Sequence, residues 1–246
     1  IHASAPDGLI GTKIRFPKVS VGATENLIIA ACLAKGKTIL SNCAIEPEIK
    51  DLVIFLKKMG CNIDWISKKK IRIIGIKKIF NVSYKVMFDR IEAVTYLIAG
   101  AITKGDLIIK NVSTSIIKND IKILKKIGAK IVVKNNQLRI KGTKKIKKIN
   151  IKTAPYPGFP TDLQAQIMVL LSKAEKNSSL KEEIFENRFM HVPELNRMGA
   201  KISINKNKAL IEGKTDFKGA EVTASDLRAS VSLILAALTA QGKTII

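Results

Sequence analysis

The chain has 246 residues, of which 46% are hydrophobic, 5% aromatic and 26% charged, with a formal net charge of +23. This length is sufficient for a large aliphatic core and for two domains. No apolar run reaches the roughly 20 residues of a membrane helix and no signal-peptide pattern appears at the start, so a cytoplasmic protein without membrane contact is expected. The three cysteines form no CxxC pair, which is typical of a reducing compartment rather than a disulfide framework.

The positive charge does not by itself indicate nucleic-acid binding. The basic residues are spread along most of the chain, and there is no RNP-like aromatic motif, zinc-finger spacing or basic helix. The densest run, Lys141–Lys152, alternates with isoleucine and predicts a solvated strand or linker face. A basic nucleic-acid-binding module therefore remains only as an alternative, while a positive field would attract small anionic substrates. The two histidines, His2 and His191, have no metal-ligand spacing, so no metal site is predicted.

An apolar helix followed by a strand recurs along the chain, as in Leu27–Leu40 and Thr95–Ile109. A second helix follows in the phrases FLKKMGCNI, ILKKIGAKI and ELNRMGAKI, whose glycines are Gly60, Gly128 and Gly199. These glycines predict left-handed helix ends, each followed by an alternating strand. A further glycine closes each copy: Gly75, Gly142 and Gly213.

Each repeat unit of about 68 residues is therefore predicted as helix, strand, helix and two strands. Helices with apolar residues nearly all round, as in Leu27–Leu33, predict buried helices. We expect an α/β fold of inside-out barrels, with helices inside and sheets outside. The chain starts at Ile1 rather than Met and stops within a fourth copy at Ile246, which indicates a piece of a longer protein.

The segment Thr153–Gly199 contains two dense motifs, TAPYPGFPTDLQAQ and FENRFMHVPELNRMGA. Its prolines exclude a helix before Thr161, and T-x-x-Q predicts a capping box between Thr161 and Gln164. Asp162 then lies in the first helical turn, where the helix dipole stabilises a carboxylate that can accept a hydrogen bond from a substrate hydroxyl. The alternative is that Asp162 only helps to cap its helix.

Polar and charged residues mark the predicted helix starts, at Thr24-Glu25, Asp89-Arg90, Thr161-Asp162 and Ser225–Arg228. Helix N-termini attract anions. Arginine is scarce in this lysine-rich chain, yet Arg90, Arg188 and Arg228 lie in or beside these starts or the FENRF motif. The guanidinium group binds carboxylate and phosphate in a fork geometry that lysine lacks. A local ion pair, such as Arg90 with Glu92, is the alternative at each position.

These motifs, together with SVGATEN (Ser20–Asn26), EPEIKD (Glu46–Asp51), DRIEA (Asp89–Ala93) and SDLRAS (Ser225–Ser230), closely resemble the UDP-N-acetylglucosamine enolpyruvyl transferase family. The resemblance covers essentially the whole chain. It implies two domains of three α/β units each, with residues 1–88 forming part of the first domain and residues 89–246 most of the second. It also implies the substrates phosphoenolpyruvate and UDP-N-acetylglucosamine, and no metal or redox cofactor.

The resemblance further implies roles for individual residues. Asp162 would bond the sugar 3′-hydroxyl and act as the base, while Ile184 would contact the uridine end through its backbone. Asp226, Arg228 and Arg188 would face phosphoenolpyruvate. Glu46 and Arg90 match motif positions near the cleft. The residues expected against the nucleotide sugar are Lys18, Val19, Ser20, Val21 and Gly22.

The family's general acid is a cysteine in a mobile glycine-rich loop of the first domain, and this chain has no counterpart of that loop. Cys32 lies on an apolar helix and is expected in the core, and neither Cys43 nor Cys61 has the loop context. We therefore expect this stretch alone to be inactive and the parent protein to be active. A truncated, non-catalytic remnant that binds a nucleotide sugar is the alternative.

Overall fold

The structure is a computed structural model that describes residue 2 and residues 4–134, 136–143 and 145–246. The chain start at Ile1 lies outside the described residues, as do positions 3, 135 and 144. The chain divides into two compact units, Ile1–Met87 (unit 1) and Phe88–Ile246 (unit 2). The assignment of residues 1–88 and 89–246 to two domains of a larger protein stays a prediction.

Unit 1 contains one repeat, and its order of helix, strand, helix and two strands is the predicted one. A short additional strand precedes it and pairs in parallel with the first strand of the repeat, giving a four-stranded sheet in the order β1-β2-β4-β3. Its elements are β1 (Lys13–Arg15), α1 (Val21–Cys32), β2 (Lys37–Ser41), α2 (Pro47–Lys58), β3 (Asn62–Ser67) and β4 (Lys70–Ile74).

Unit 2 contains two complete repeats and the first helix of another. The first repeat has α3 (Arg90–Ile102), β5 (Asp106–Lys110), α4 (Lys118–Ile127), β6 (Lys130–Lys134) and β7 (Gln137–Lys141). The second has β8 (Asn150–Lys152), a 3-10 turn (Thr161–Leu163), α5 (Gln164–Ser172), β9 (Ser178–Lys181), α6 (Val192–Arg197), β10 (Ile202–Asn205) and β11 (Lys208–Ile211). Helix α7 (Leu227–Ala237) follows.

The helices at the centre of unit 2 confirm the inside-out arrangement. All nine residues of α5 are buried, and α5 packs between α3 and α7. The sheets β5-β7-β6 and β10-β11-β9-β8 lie outside these helices. In the lysine-rich run Lys141–Lys152, every described lysine is exposed, while Ile146 and Ile151 point into the core, so the predicted solvated face is confirmed.

The prediction that the apolar helices are buried is wrong for α1. Only four of its twelve residues are buried; Ile29 in the helix and Leu33 directly after it are 51% and 55% exposed. Unit 1 has one repeat, so α1 packs on α2 and the sheet without the second central helix that covers α3 and α5 in unit 2. The same apolar sequence is therefore buried to different extents in the two units.

The helix-terminating glycines are confirmed in all three copies. Gly60, Gly128 and Gly199 have φ angles of 96°, 111° and 98°, a left-handed conformation that side chains rarely adopt. In each copy the next residue donates its N–H to a carbonyl five positions back, as from Cys61 to Leu56. This pattern closes the end of the helix and turns the chain into the following strand.

The closing glycines serve a different purpose, because each one lies against the backbone of the loop that follows the first helix of its repeat. A Cβ atom at Gly75 would lie 1.6 Å from the carbonyl oxygen of Ala34. The corresponding distances are 2.3 Å from Gly142 to Lys104 Cα and 2.1 Å from Gly213 to the Ala174 oxygen. In each repeat, the end of the β-hairpin therefore packs directly against the loop that follows the first helix.

We expect Gly75→Ala to lower the free energy of unfolding by roughly 1–3 kcal/mol, because the added methyl group must displace backbone rather than a flexible side chain. Urea unfolding followed by the fluorescence of Trp65 measures this, since Trp65 is the single tryptophan and packs on the unit 1 core. Gly22→Ala is the control, because no atom lies within 4 Å of its Cβ position. Equal unfolding midpoints for the two variants would contradict the prediction.

Candidate active site

The start of α1 carries the five residues predicted to contact a nucleotide sugar. The helix begins at Val21, with the Ser20 hydroxyl accepting a hydrogen bond from the N–H of Ala23 at 3.3 Å. The predicted start at Thr24-Glu25 is therefore wrong by one turn. Lys18 and Gly22 are exposed, and Val19 and Val21 are partly buried. The first turn of α1 therefore has little side-chain bulk at Gly22.

Glu46 lies close to the same helix within unit 1. The backbone N–H of Ala44 donates to Thr24 Oγ1 at 3.1 Å, which holds the loop before Glu46 against the first turn of α1. Glu46 itself is buried and accepts a hydrogen bond from the N–H of Ile45 at 2.9 Å. Burial, together with the negative charges of Glu48 and Glu46, raises the pKa of Glu25 above its ordinary value.

In unit 2, Asp162 lies in a 3-10 turn that leads into α5. The predicted capping box is wrong. The Thr161 hydroxyl donates to Glu182 Oε2 at 2.9 Å, and the Gln164 side chain donates to Met168 Sδ at 3.1 Å. The Thr161 hydroxyl is directed inward, where it donates a charge-assisted hydrogen bond to the buried Glu182 carboxylate and does not accept one from a backbone N–H of the first turn. Asp162 is still in the first turn, as predicted.

Two arginines converge on one oxygen of Asp162. Arg228 donates to Asp162 Oδ1 through Nε at 3.0 Å and Nη2 at 2.7 Å, and Arg188 Nη2 donates to the same oxygen at 3.0 Å. The three side chains are 26–35% exposed, so the cluster is open to solvent. Two positive charges beside one carboxylate leave a net positive site at which an anion can bind.

Asp226 caps α7, the helix that carries Arg228. Its Oδ1 accepts hydrogen bonds from the N–H groups of Arg228 and Ala229 at 2.6 and 3.0 Å. Burial by itself would raise the pKa of Asp226, but these hydrogen bonds and the charge of Arg188 hold the pKa below its ordinary value. The predicted helix start at Ser225-Asp226 is confirmed, as is the one capped by Asp89.

His191 lies in the interior beside this cluster and is 1% exposed. Burial lowers its pKa to about 4; the negative charge of Asp226 opposes this shift, and the positive charge of Arg188 adds to it. Its Nε2 atom has no hydrogen-bond partner among the described residues. The histidine is therefore a neutral packing residue at neutral pH.

A buried neutral histidine makes stability depend on pH with a known sign. The unfolded chain binds a proton at His191 near pH 6.5 and the folded chain only near pH 4. Above this pH window His191 is neutral in both states, so its protonation does not lower stability. As pH falls through the window, we expect the free energy of unfolding to fall by up to about 1.4 kcal/mol per pH unit. Urea unfolding at several pH values should show this slope, and His191→Gln should flatten it. The exposed His2 gives the control His2→Gln, and an unaltered slope in His191→Gln would contradict the assignment.

Arg90 supports the proline-rich loop that precedes Asp162. It is the first residue of α3, is buried, and its guanidinium lies 5.7 Å from the ring centre of Tyr156. The loop is also bound to the start of α4, where Asn119 Nδ2 donates to the Pro157 carbonyl at 2.9 Å. Burial raises the pKa of the nearby Asp120 to about 6, against the opposing charge of Arg90. Arg90 thus contacts a loop of the site, although its contact with a substrate stays a prediction.

Two positions before Ile184 lies a buried glutamate, Glu182, which none of the sequence motifs includes. Glu182 is 2% exposed, and its Oε1 accepts the N–H of Ile184 at 2.8 Å and of Phe185 at 3.1 Å. Because this N–H is engaged, a backbone contact of Ile184 with a ligand falls to its carbonyl group. The available signal was alternation: Leu180 and Glu182 both point inward, and a charged residue at an inward position needs partners.

No group of three or more potential metal ligands occurs within the described part of the chain. Cys32, Cys43 and Cys61 are free and buried, so the core position predicted for Cys32 is confirmed. Among the helices that the structure describes, none has the length and hydrophobicity needed to cross a membrane.

The fold belongs to a known class. The model of the EPSP synthase (3-phosphoshikimate 1-carboxyvinyltransferase) family matches residues 1–246, and the chain therefore belongs to this family. In structure it resembles the enolpyruvyl transferase NikO from Streptomyces tendae, with a TM-score of 0.81 and 23% identity over 89% of this chain and 53% of that one. EPSP synthase from Acinetobacter baumannii gives a TM-score of 0.71 and 23% identity, covering 96% of this chain and 57% of that chain.

Sequence relatives narrow the class. The chain is 69% identical, over its whole length, to UDP-N-acetylglucosamine 1-carboxyvinyltransferase from Pelagibacter ubique and 52% identical to the enzyme of that name from Rickettsia prowazekii. It spans 59% of the length of each of these relatives. The resemblance to UDP-N-acetylglucosamine enolpyruvyl transferases inferred from the motifs is confirmed.

Proposed function

We propose that the full-length protein transfers the enolpyruvyl group of phosphoenolpyruvate to the 3′-hydroxyl of UDP-N-acetylglucosamine and releases phosphate, the first committed step of peptidoglycan synthesis. The observation that carries the proposal is the convergence of Arg188 and Arg228 on one oxygen of Asp162. A base and two cations side by side are what addition of a hydroxyl to an anionic enol ester requires. The 69% identical relative, a UDP-N-acetylglucosamine 1-carboxyvinyltransferase, supports UDP-N-acetylglucosamine as the acceptor and the carboxyvinyl (enolpyruvyl) group as the group transferred.

The chemistry proceeds by addition and then elimination. Asp162 accepts the proton of the 3′-hydroxyl while the hydroxyl oxygen of the sugar bonds to C2 of phosphoenolpyruvate. At the same time C3 gains a proton from an acid outside this chain. The resulting tetrahedral intermediate loses a proton from C3 as the C2–O bond to phosphate breaks. Phosphate leaves and the double bond is restored. Arg228 and Arg188 balance the charge of the phosphate and carboxylate groups during both steps.

The remaining residues have binding roles in this proposal. Asp226 holds the start of α7, and with it Arg228, and faces phosphoenolpyruvate. Ile184 contacts the uridine end, and the segment Lys18–Gly22 at the N-terminus of α1 lies against the nucleotide sugar. Glu46 and Arg90 support the loops beside these segments. The reaction needs no metal or redox cofactor, and a cytoplasmic location is part of the proposal, supported by three free cysteines.

The test is phosphate release by the full-length protein given both substrates. We expect release that depends on both phosphoenolpyruvate and UDP-N-acetylglucosamine, with no release when shikimate 3-phosphate replaces the sugar nucleotide. Release from phosphoenolpyruvate with shikimate 3-phosphate as acceptor, and none with UDP-N-acetylglucosamine, would instead assign the acceptor used by EPSP synthases. Binding of UDP-N-acetylglucosamine without turnover would favour a non-catalytic remnant. Tight, strongly salt-dependent binding to arbitrary DNA or RNA without turnover would favour the nucleic-acid alternative.

A further inference from the structure

Glu182 is the most highly connected buried carboxylate in the described part of unit 2. It directly follows β9, and four groups donate to its two oxygens. Oε1 accepts from Thr153 Oγ1 at 2.8 Å and from the N–H groups of Ile184 and Phe185 at 2.8 and 3.1 Å, while Oε2 accepts from Thr161 Oγ1 at 2.9 Å. These five residues form the Glu182 cluster. A carboxylate only accepts hydrogen bonds and offers about four acceptor sites, so this one side chain can receive all four donors.

The cluster joins two segments that are far apart in sequence but adjacent in the site. Thr161 directly precedes Asp162, and the N–H groups of Ile184 and Phe185 belong to the loop that leads to Arg188. The Thr153 hydroxyl also accepts the N–H of Glu183 at 2.8 Å, so the end of β8 is bound to the same turn. The backbone of Glu182 is itself anchored, because its N–H donates to the Asn207 carbonyl at 2.8 Å and its carbonyl accepts from Asn207 Nδ2 at 3.0 Å.

We propose that Glu182 is a positioning residue that fixes the Asp162 turn relative to the Ile184–Phe185 backbone. The proposal rests on the function proposed above, in which Asp162 acts on the sugar hydroxyl and Ile184 contacts the uridine end of the same substrate. Both ends of the nucleotide sugar then meet segments that are bound to one carboxylate. A misplacement of about 1 Å between a base and its substrate can cost roughly 100-fold in rate.

The chemistry of the cluster defines the two variants that test it. In Thr161→Val the shape is kept and the hydroxyl that donates to Oε2 is lost. In Glu182→Gln the amide oxygen must remain where three donors meet, so the amide nitrogen faces Thr161. A weaker, neutral hydrogen bond from this amide to the Thr161 hydroxyl then replaces the charge-assisted one. Both changes weaken the same link. The double variant should therefore be no worse than the more severe single variant.

The experiment measures kcat, KM for UDP-N-acetylglucosamine and thermal stability in the full-length protein. We expect each single variant to lower kcat by roughly 10–100-fold, with the double variant close to the singles. Ser178→Ala is the matched control, because Ser178 is buried in β9, the strand that Glu182 follows, and its hydroxyl accepts the N–H of Ile149 at 3.3 Å outside the cluster. It should lose comparable stability and keep its kcat.

Hydrogen exchange at the amides of Ile184 and Phe185 tests the link without substrate. We expect several-fold faster exchange there in Thr161→Val and no change in Ser178→Ala. Three results would overturn the proposal: unchanged exchange, additive losses of kcat in the double variant, or a loss of kcat in Ser178→Ala as large as in the cluster variants. If the wild-type protein turns over no substrate while the exchange effect is present, the proposed function fails and the link through Glu182 stands.

Discussion

Asp162→Ala in the full-length protein should lower kcat by roughly 10²–10⁴-fold with the fold intact, the loss expected when a general base is removed. The structure sharpens this expectation, because the carboxylate also balances Arg188 and Arg228 on one oxygen. Its removal leaves two guanidinium groups without this partner. Part of the loss in Asp162→Ala can therefore come from displaced arginines rather than from the missing base.

Asp162→Asn separates these two contributions. The amide oxygen can still accept the hydrogen bonds of Arg188 and Arg228, but the amide group cannot take a proton from a hydroxyl. We expect kcat to fall nearly as far as in Asp162→Ala, with a smaller change in KM for phosphoenolpyruvate. Asp216→Asn is the control, since Asp216 in the same unit has a side chain that is 90% exposed. Steady-state kinetics with each substrate varied provide the measurement, and normal turnover in Asp162→Asn would rule out the role of base.

Arg228→Lys should lower kcat/KM for phosphoenolpyruvate by roughly 10²–10³-fold although the charge is kept, a loss typical of one missing preorganised donor. Arg228 reaches Asp162 Oδ1 through both Nε and Nη2, and a lysine ammonium cannot reproduce this planar fork. Lysine would therefore bind either the carboxylate or the incoming anion less well.

The comparison for this second variant is Arg197→Lys. Arg197 is 61% exposed and pairs with Glu194 at 3.5 Å on the surface of α6. Exposed pairs of this kind contribute little, so its kinetics should match the wild type. The measurement is again steady-state kinetics, here with phosphoenolpyruvate varied at a saturating concentration of the sugar nucleotide. If Arg228→Lys keeps both KM and kcat, the guanidinium geometry is not required and Arg228 serves only as a charge.

Local chemistry explains the features that could be predicted. A helix that ends at Gly128 needs a left-handed residue, and Asp89 or Asp226 before a helix can accept the free N–H groups of its first turn. These requirements involve residues within a few positions of each other. The repeats, their order of elements and the burial of α3 and α5 followed from such patterns.

The predictions that were wrong or incomplete depend on contacts between residues far apart in the sequence. Thr161 fits a capping box by spacing, but Glu182, 21 residues away, offers a buried carboxylate and takes its hydroxyl. The exposed face of α1 could not be predicted from its sequence either, because an apolar helix is buried only if neighbouring helices cover it. Gly75 marks the end of a repeat in the sequence, but the reason for a glycine there, the nearby carbonyl of Ala34, lies in another part of the repeat.

The sequence by itself determined the repeat, the family and the residue types of the site, because turns, caps and motifs depend on neighbours along the chain. Only the tertiary structure decided that Arg188 and Arg228, 26 and 66 residues from Asp162, share one of its oxygens. It also decided that Glu182 binds the turn before Asp162 to the Ile184 backbone. Contacts over such separations depend on how helices and sheets pack, which no local pattern encodes.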